Sequence, residues 1–183
     1  MIISISGTPG SGKGTISSLL AEKLGFKKIS IGETIMRPLA KKRGVSVLKL
    51  MELAQTDESI DRDADKKVIE LGEKEDNFII DSRTAFHFIP QSFKIFIKAD
   101  FKEAARRIWK DLESRSKGRE VEGTSKTVEE LAQRLASRNE LDKKRYQEYY
   151  NFDFTDESQY DLVIDSTNLT PQEEVDMIVS SLK

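Results

Sequence analysis

The chain has 183 residues, of which 34% are charged and 37% hydrophobic, a balance typical of one folded domain rather than of a disordered or membrane chain. Its formal net charge of -2 disfavours a nucleic-acid-binding protein, because such proteins usually carry a clear basic excess. Since the sequence has no cysteine, a disulfide framework and a zinc–thiolate site are both excluded.

The first quarter of the chain predicts a strand, a helix and a second strand. Residues 2–6 are rich in isoleucine and run directly into a glycine-rich turn, as expected of a buried strand. Residues 13–24 carry isoleucine and leucine at helical spacing, and Gly25 is expected to end that helix. A short second strand is predicted at residues 28–31.

A long helical region separates the second strand from the third. Its pattern runs from residue 33 to about residue 74, with breaks near Gly44 and near residues 56–57. The third and fourth strands are predicted at residues 77–81 and 93–98.

Three helices, a polar segment and the last strand complete the chain. Each helix begins with the signature of a capping box, and the pairs are Asp100 with Glu103, Thr127 with Glu130, and Thr170 with Glu173. Residues 114–126 are rich in glycine and charge and are interpreted as a mobile lid. The fifth strand is predicted at residues 160–165.

Short strands that alternate with helices predict an α/β protein whose parallel sheet is covered on both faces. We expect one three-layer domain over residues 1–183, with about five parallel strands. The long helical region, at residues 31–75, would be inserted between strands, and the lid would lie at residues 114–126.

A glycine-rich segment joins the first strand to the first helix and matches most of the P-loop pattern, which is glycine, four residues and then Gly-Lys. Its residues are Gly7, Thr8, Pro9, Gly10, Ser11, Gly12, Lys13, Gly14 and Thr15. Glycines let backbone N–H groups surround a polyphosphate, and the helix N-terminus attracts the same anion. We therefore expect a P-loop NTPase fold that binds ATP; the alternative is a glycine-rich turn without a ligand.

One position departs from the pattern. Gly14 stands where a Ser or Thr usually binds Mg²⁺, and Thr15 follows one residue later. Thr15 is therefore the candidate hydroxyl for Mg²⁺, and Asp81, at the end of a predicted strand, is the candidate carboxylate acting through water. A turn or helix cap is the alternative role for Asp81.

Several arginines fall in segments expected at or above the carboxyl edge of the sheet, where open α/β sheets bind ligands. They are Arg37, Arg83, Arg115, Arg119, Arg134, Arg138 and Arg145. Phosphoryl transfer needs converging cations, and the arginine fork pairs two phosphate oxygens at once. The sequence also lacks the Asn-Lys-x-Asp of a GTPase. A small-molecule kinase is favoured.

Four segments resemble nucleoside monophosphate kinases. The P-loop followed by residues 30–37 resembles the opening of an adenylate or cytidylate kinase. Residues 55–65, 80–83 and 138–146 are similar to cytidylate kinases of the shorter archaeal type, although Ser82 replaces a glycine of that family. The similarity covers nearly the whole chain, and it implies transfer of the ATP γ-phosphate to CMP or dCMP.

The resemblance also implies residue roles. The acceptor nucleotide would contact Ser30, Gly32, Arg37, Arg83, Asp142 and Arg145. Lys13, Arg119 and Arg138 would be catalytic, with Arg115 as the other lid candidate. Asp61 and Asp65 would border the acceptor site, with a plain polar helix face as the alternative. Each arginine of the set has a solvated surface charge as its alternative role, and His87 is expected to be a packed residue rather than a base.

The expected partners are ATP with Mg²⁺, and CMP or dCMP. We expect a cytoplasmic monomer that needs neither nucleic acid nor a membrane, since no apolar run approaches the length of a membrane span. Two alternatives stay open at this point. One is an adenylate, sugar or shikimate-type kinase on the same scaffold, and the other is a nucleotide-binding regulatory or assembly factor with slow ATP hydrolysis.

Overall fold

The structure, a computed structural model, describes residues 1–45, 47–114 and 125–182. Within these ranges the strands are β1 (Ile2–Gly7), β2 (Lys27–Ser30), β3 (Phe78–Asp81), β4 (Phe93–Lys98) and β5 (Leu162–Asp165). They form one sheet in the order β2-β3-β1-β4-β5, and every neighbouring pair is parallel. The predicted parallel sheet is confirmed, and β1 lies at its centre.

Helices cover both faces of the sheet. Within the described ranges they are α1 (Lys13–Leu24), α2 (Arg37–Lys42), α3 (Val47–Leu53), α4 (Ser59–Lys74), α5 (Ala85–Phe88), α6 (Phe101–Ser114), α7 (Val128–Tyr150) and α8 (Pro171–Ser181). A π-helical turn at Gly32–Met36 leads into α2, and a 3-10 turn at Glu157–Gln159 precedes β5. None of the helices in these ranges is long and apolar enough to cross a membrane.

The alternation of side chains along the strands builds the three layers. On one face Ile2, Phe78 and Ile80 pack with the helices of the long insertion. On the opposite face Ile3 and Ile79 pack with α1 and α8. Strands that are apolar on both sides can be buried only between two helical layers, which is the predicted architecture.

The helical insertion has the two predicted breaks. Gly44 has a φ of 64° just after α2, a left-handed conformation that a helix cannot continue through. The second break falls between α3 and α4, at residues 54–58. The short helix α5 was not predicted, because four residues carry too little periodicity to be recognised.

The three predicted capping boxes differ in the structure. Only α8 has the complete box, in which Thr170 and Glu173 bond each other's backbone N–H groups. Asp100 accepts hydrogen bonds from two backbone N–H groups at the start of α6, but the Glu103 carboxylate turns to Arg106 and Arg107 instead of back to Asp100. A charged partner one turn away competes with the cap for the same carboxylate.

The lid predicted at residues 114–126 lies almost wholly outside the described residues, as do Arg115 and Arg119. His87 is exposed, although its ring centroid lies 4.5 Å from that of Phe152, so it contacts a neighbouring ring without being buried in the core.

Gly7 ends β1 with a φ of 149°, and a Cβ atom there would lie 1.9 Å from the backbone oxygen of Ile97. Gly7→Ala should therefore lower the free energy of unfolding by about 3 kcal/mol or more, because neither backbone can move aside. Urea denaturation of the purified protein measures this loss.

Gly25→Ala is the matched control, since Gly25 also has a positive φ, of 67°, but open space around it. It should cost only about 1–2 kcal/mol. An equal loss in the two variants would show that conformation, and not the contact between β1 and β4, requires glycine at position 7.

Candidate active site

The glycine-rich loop makes a tight turn between β1 and α1. Gly10 and Gly12 have φ values of 78° and 91°, which L side chains rarely adopt. A Cβ atom on Gly10 would lie 3.0 Å from the Cβ of Ala104, so the loop rests directly on α6. Glycine at these positions is what allows the backbone to approach its neighbours and to turn its N–H groups inward.

The loop is also fastened to the two strands on its other side. Thr8 Oγ1 accepts a hydrogen bond from the N–H of Ala99, just after β4, at 3.2 Å. Ser166, just after β5, donates its hydroxyl hydrogen to the carbonyl of Ser11 at 3.2 Å. These hydrogen bonds hold the conformation of the loop before any ligand binds. Ligand binding therefore does not have to supply the free energy of ordering the loop.

Lys13 folds over the loop, and its ammonium donates to the carbonyls of Gly7 at 3.1 Å and Thr8 at 2.7 Å. Burial lowers the pKa of Lys13 to about 7; the Asp81 carboxylate opposes this shift, and repulsion from Arg83 and Arg138 adds to it. Burial and mutual repulsion make such a group of cations unfavourable, and a group of this kind is typical of a site that binds an anion.

Asp81 faces the start of α1 from the end of β3. A Cβ atom on Gly14 would lie 3.8 Å from its Oδ2. Burial raises the pKa of the Asp81 carboxyl, whereas Lys13 and Arg83 oppose the shift. Thr15 lines the same cavity, so one hydroxyl and one carboxylate border the place where a polyphosphate would lie.

Thr15 and Asp81 fit a shared magnesium ion rather than a protein cage. Among the described residues no group of three or more His, Cys, Asp or Glu side chains is arranged to hold a metal ion. Mg²⁺ typically keeps several waters and is bound through one or two protein oxygens plus the phosphates of its substrate. A hydroxyl and a carboxylate beside the loop meet that requirement.

A buried network of ion pairs stands opposite the loop. Arg145 is 1% exposed, and its guanidinium lies 2.9 Å from Asp61 Oδ2 and 2.9 Å from Asp142 Oδ1. The other oxygen of Asp142 lies 2.8 Å from Arg83 Nη1 and 3.9 Å from Arg138 Nε. Arg138, Asp142 and Arg145 stand at helical spacing on one face of α7, and this face is turned inward rather than solvated.

Asp142 is not itself in the cavity wall. Arg83, Arg138 and Arg145 line the cavity, and Asp142, also 1% exposed, lies behind them. One carboxylate thus pairs with three guanidinium groups, and the nucleotide contact expected of Asp142 from the sequence stays a prediction.

Two further carboxylates line this end of the cavity from α4. Burial raises the pKa of Asp61 to about 6, with Arg145 opposing, and burial also raises the pKa of Asp65. Asp65 accepts hydrogen bonds from the hydroxyl of Thr84, at 2.8 Å, and from that of Tyr150. Asp61 and Asp65 are therefore buried in the cavity wall rather than on a solvated helix face.

The segment after β2 supplies the remaining wall. Ser30 is buried, and its carbonyl accepts a hydrogen bond from Thr34 at 2.7 Å. The π-helical turn that begins at Gly32 brings Arg37 to the cavity rim. The Arg37 guanidinium is exposed and has no hydrogen bond or ion pair with another described residue.

Sequence reasoning missed the opposite end of the cavity, above β4 and β5. Arg107 donates to the carbonyls of Ser166 at 2.7 Å and Thr167 at 2.9 Å. With it the lining includes Leu169, Pro171 and Glu174. Arg107 follows Glu103 by one helical turn, a spacing that is common for ion pairs on exposed helix surfaces. No local sequence pattern therefore distinguishes Arg107 from a surface residue.

Most of these groups border one open cavity of about 680 Å³, although Thr8, Ser11 and Asp142 lie outside its wall. It extends from the acidic and basic network above β2 and β3, across the loop above β1, to the segment after β5. Its size suits a nucleotide ligand, and its position at the carboxyl edge of a parallel sheet is where such folds bind ligands.

Comparisons with known proteins agree with this geometry. A sequence model described as the cytidylate kinase-like family matches residues 2–168. A cytidylate kinase of Natronomonas pharaonis is 37% identical over 93% of this chain and 83% of its own length. One from Methanobrevibacter smithii is 32% identical over 100% and 99%, respectively. The crystal structure of a shikimate kinase from Bacteroides thetaiotaomicron has a TM-score of 0.66, covering 100% of this chain and 98% of its own at 16% identity, and it shows the fold alone.

Arg145→Met should lower the free energy of unfolding by about 3–5 kcal/mol at pH 7, because it leaves the buried Asp61 without its cation and removes one of the arginines that pair with Asp142. The loss should shrink at pH 5, where Asp61, with a pKa raised to about 6, is mostly neutral. Urea denaturation at both pH values measures the loss of stability.

Arg62→Met is the control, because it removes an exposed pair with Glu58 and should change the free energy of unfolding by less than about 1 kcal/mol. An equal loss in the two variants would show that the buried ion pairs contribute no more to stability than an exposed one.

Binding of ADP at pH 8 should be accompanied by uptake of about one proton, because the diphosphate restores the charge of Lys13, whose pKa burial holds near 7. Calorimetry in two buffers of different ionisation enthalpy measures this uptake. Lys13→Met should abolish the uptake, whereas Lys28→Met, which removes a half-buried lysine that bonds the Gly14 carbonyl, should retain it. Undiminished uptake by the Lys13 variant would assign the proton to another group.

Proposed function

The chain belongs to the cytidylate kinase-like family, and on that premise we propose that it transfers the γ-phosphate of ATP to CMP or dCMP, giving ADP and CDP or dCDP. The observation that carries the proposal is the convergence of Lys13, Arg83 and Arg138 on one cavity behind a P-loop. Phosphoryl transfer depends on such converging charge and on positioning more than on covalent chemistry.

The donor polyphosphate is proposed to lie on the loop. Its contacts would be the backbone N–H groups and side chains of Gly7, Thr8, Pro9, Gly10, Ser11, Gly12, Lys13, Gly14 and Thr15. Gly7, Thr8 and Ser11 contribute chiefly by holding the loop, as their backbone and hydroxyl bonds indicate. Mg²⁺ bound with ATP would be held by Thr15 and Asp81 through water and would neutralise charge on the β- and γ-phosphates.

The acceptor phosphate is proposed to lie between Arg37 and Arg83. Arg37 is exposed on the rim and available to a ligand, and Arg83 projects from just beyond β3 into the cavity. Ser30 and Gly32 shape the wall below them. Arg145 and Asp142 act mainly by position, because their charged groups are engaged with each other and with Asp61.

The acidic end of the cavity supports cytosine as the acceptor base. Cytosine presents an exocyclic amino group, which donates to carboxylates, whereas uracil presents a carbonyl oxygen at the same position. Asp61 and Asp65 are the carboxylates that line this end. A carbonyl directed at them would place two acceptors together, so CMP fits better than UMP.

In the transfer step an oxygen of the acceptor phosphate attacks the γ-phosphorus while the bond to the β–γ bridging oxygen breaks, and ADP leaves. The acceptor phosphate is already ionised at neutral pH, so the step needs no general base. Lys13 and Arg138 are proposed to stabilise charge on the transferring group. Arg119 keeps the role predicted from sequence, and it lies outside the described residues.

The proposal treats residues 1–183 as one domain, with residues 31–75 binding the acceptor and residues 114–126 forming a lid. We also propose that the protein acts on free nucleotides as a monomer in the cytoplasm and needs neither nucleic acid nor a membrane. The donor and acceptor fill opposite ends of the same cavity, and the transferring phosphate lies between them above β1.

A coupled assay of ADP formation with ATP and each nucleoside monophosphate tests the proposal. The ratio kcat/KM should be at least about tenfold higher for CMP and dCMP than for UMP and AMP, since one amino-to-carbonyl change at a polar pocket has effects of this order or larger. The Lys13→Ala protein is the control and should lose at least about a hundredfold in kcat. Faster transfer to AMP would overturn the acceptor, and ADP formation that is independent of any monophosphate would indicate an ATPase.

A further inference from the structure

Glu174 is a buried carboxyl at the end of the cavity that the acceptor network does not reach. It lies in the first turn of α8, is 2% exposed and forms part of the cavity wall. Its Oε2 atom is sealed from solvent and has no hydrogen-bond partner among the described residues. The neighbouring Glu173 completes the capping box of α8, so Glu174 is not needed to begin the helix.

A buried carboxyl without a partner destabilises a fold. Arg107 is the charged group that acts on Glu174, but its guanidinium already bonds Glu103 and the carbonyls of Ser166 and Thr167. Removing the carboxyl would improve stability, and its presence in a cavity wall is explained if a ligand supplies the missing hydrogen bond.

The sheet topology indicates which part of a nucleotide reaches this end. The loop lies above central β1, and the acceptor network lies above β2 and β3 on one side. Arg107, Leu169, Pro171 and Glu174 lie on the other side, above β4 and β5. A nucleotide whose phosphates occupy the loop and point at the acceptor must place its base in this second region.

We propose that Glu174 selects the base of the phosphate donor by accepting a hydrogen bond from the exocyclic amino group of adenine. Guanine carries a carbonyl oxygen at the same position of the purine, and that oxygen would face a second acceptor. The inference rests on the proposed function, because it takes the donor polyphosphate to lie on the loop.

The same carboxyl makes the selection depend on pH. Burial raises the pKa of Glu174 to about 7, and Arg107 opposes the shift. The ionised carboxylate only accepts hydrogen bonds, whereas the neutral acid can also donate one to guanine. Selectivity for adenine should therefore be highest above pH 7 and should weaken as the pH falls through this pKa.

Three further charged groups on the elements around α8 are occupied or lie in the same cavity. They are Lys23 of α1, which pairs with Asp176 of α8, Asp165 of β5, which accepts from Thr167, and Asp111 of α6, which lines the cavity.

Calorimetric binding of ADP and GDP at pH 6 and pH 8, with Mg²⁺ and without an acceptor, tests the inference. At pH 8 the wild-type protein should bind ADP at least about tenfold more tightly than GDP, which corresponds to one hydrogen bond gained and one repulsion avoided. The ratio of the GDP dissociation constant to the ADP dissociation constant should fall at least about threefold at pH 6. Lys13 does not affect the ratio, because both ligands carry the same diphosphate.

Two variants and one control separate selection from structure. The amide of Glu174→Gln can accept or donate a hydrogen bond at any pH. The GDP and ADP dissociation constants of this variant should therefore lie within about twofold of each other at both pH values. Glu174→Met should also lose the preference while unfolding at the same or a higher denaturant concentration, because an unpaired buried carboxyl is removed. Glu173→Gln, which keeps the capping box, should behave as the wild type.

A wild-type protein without preference for ADP, or variants at position 174 with the wild-type ratio, would overturn the inference while leaving the kinase proposal intact. A wild-type protein that binds neither nucleotide would instead refute the proposed function. If Glu174→Met does not fold, the glutamine variant, which has nearly the same shape, decides the outcome.

Discussion

The gathering of like charges at the carboxyl edge of the sheet is the constraint on which the other features depend. Lys13, Arg83 and Arg138 repel one another across one cavity, and burial lowers the pKa of Lys13 to about 7. Such an arrangement persists only if the surrounding structure holds it. The backbone carbonyls under Lys13 and the single carboxylate of Asp142 behind the arginines provide that support.

The supporting network also joins parts of the chain that are distant in sequence. Arg145 and Asp142 belong to α7, Asp61 to α4, and Arg83 to the segment after β3, yet they form one connected set of ion pairs. Because breaking a buried pair is far more costly than breaking an exposed one, these elements are fixed relative to one another. The end of the cavity above β2 and β3 is thus pre-formed, and its arginines need little reordering if an anion binds there.

Features that depend on local sequence patterns could be predicted, whereas features that depend on tertiary contacts could not. The sheet, the breaks at Gly44 and residues 56–57 and the loop around Lys13 were predictable, because turn chemistry and periodicity are local. The shared face of Arg138 and Arg145 followed from helical spacing, but its burial did not, because charged residues at that spacing are usually exposed. That Asp142 lies behind the arginines, and that Arg107 and Glu174 line the cavity, depends on tertiary contacts that no short pattern records.

The central position of β1 gives the proposed donor and acceptor separate ends of one cavity. In the order β2-β3-β1-β4-β5, the insertion that contains α4 follows edge strand β2 on one side of β1, and α8 follows edge strand β5 on the other. The phosphate cradle lies between, and the two ends have different chemistry: paired arginines and aspartates at one, and Arg107 with a lone carboxyl at the other. In the proposed function, each end would therefore contact a different base while the same central cations would bind the phosphates of both nucleotides, as in-line transfer requires.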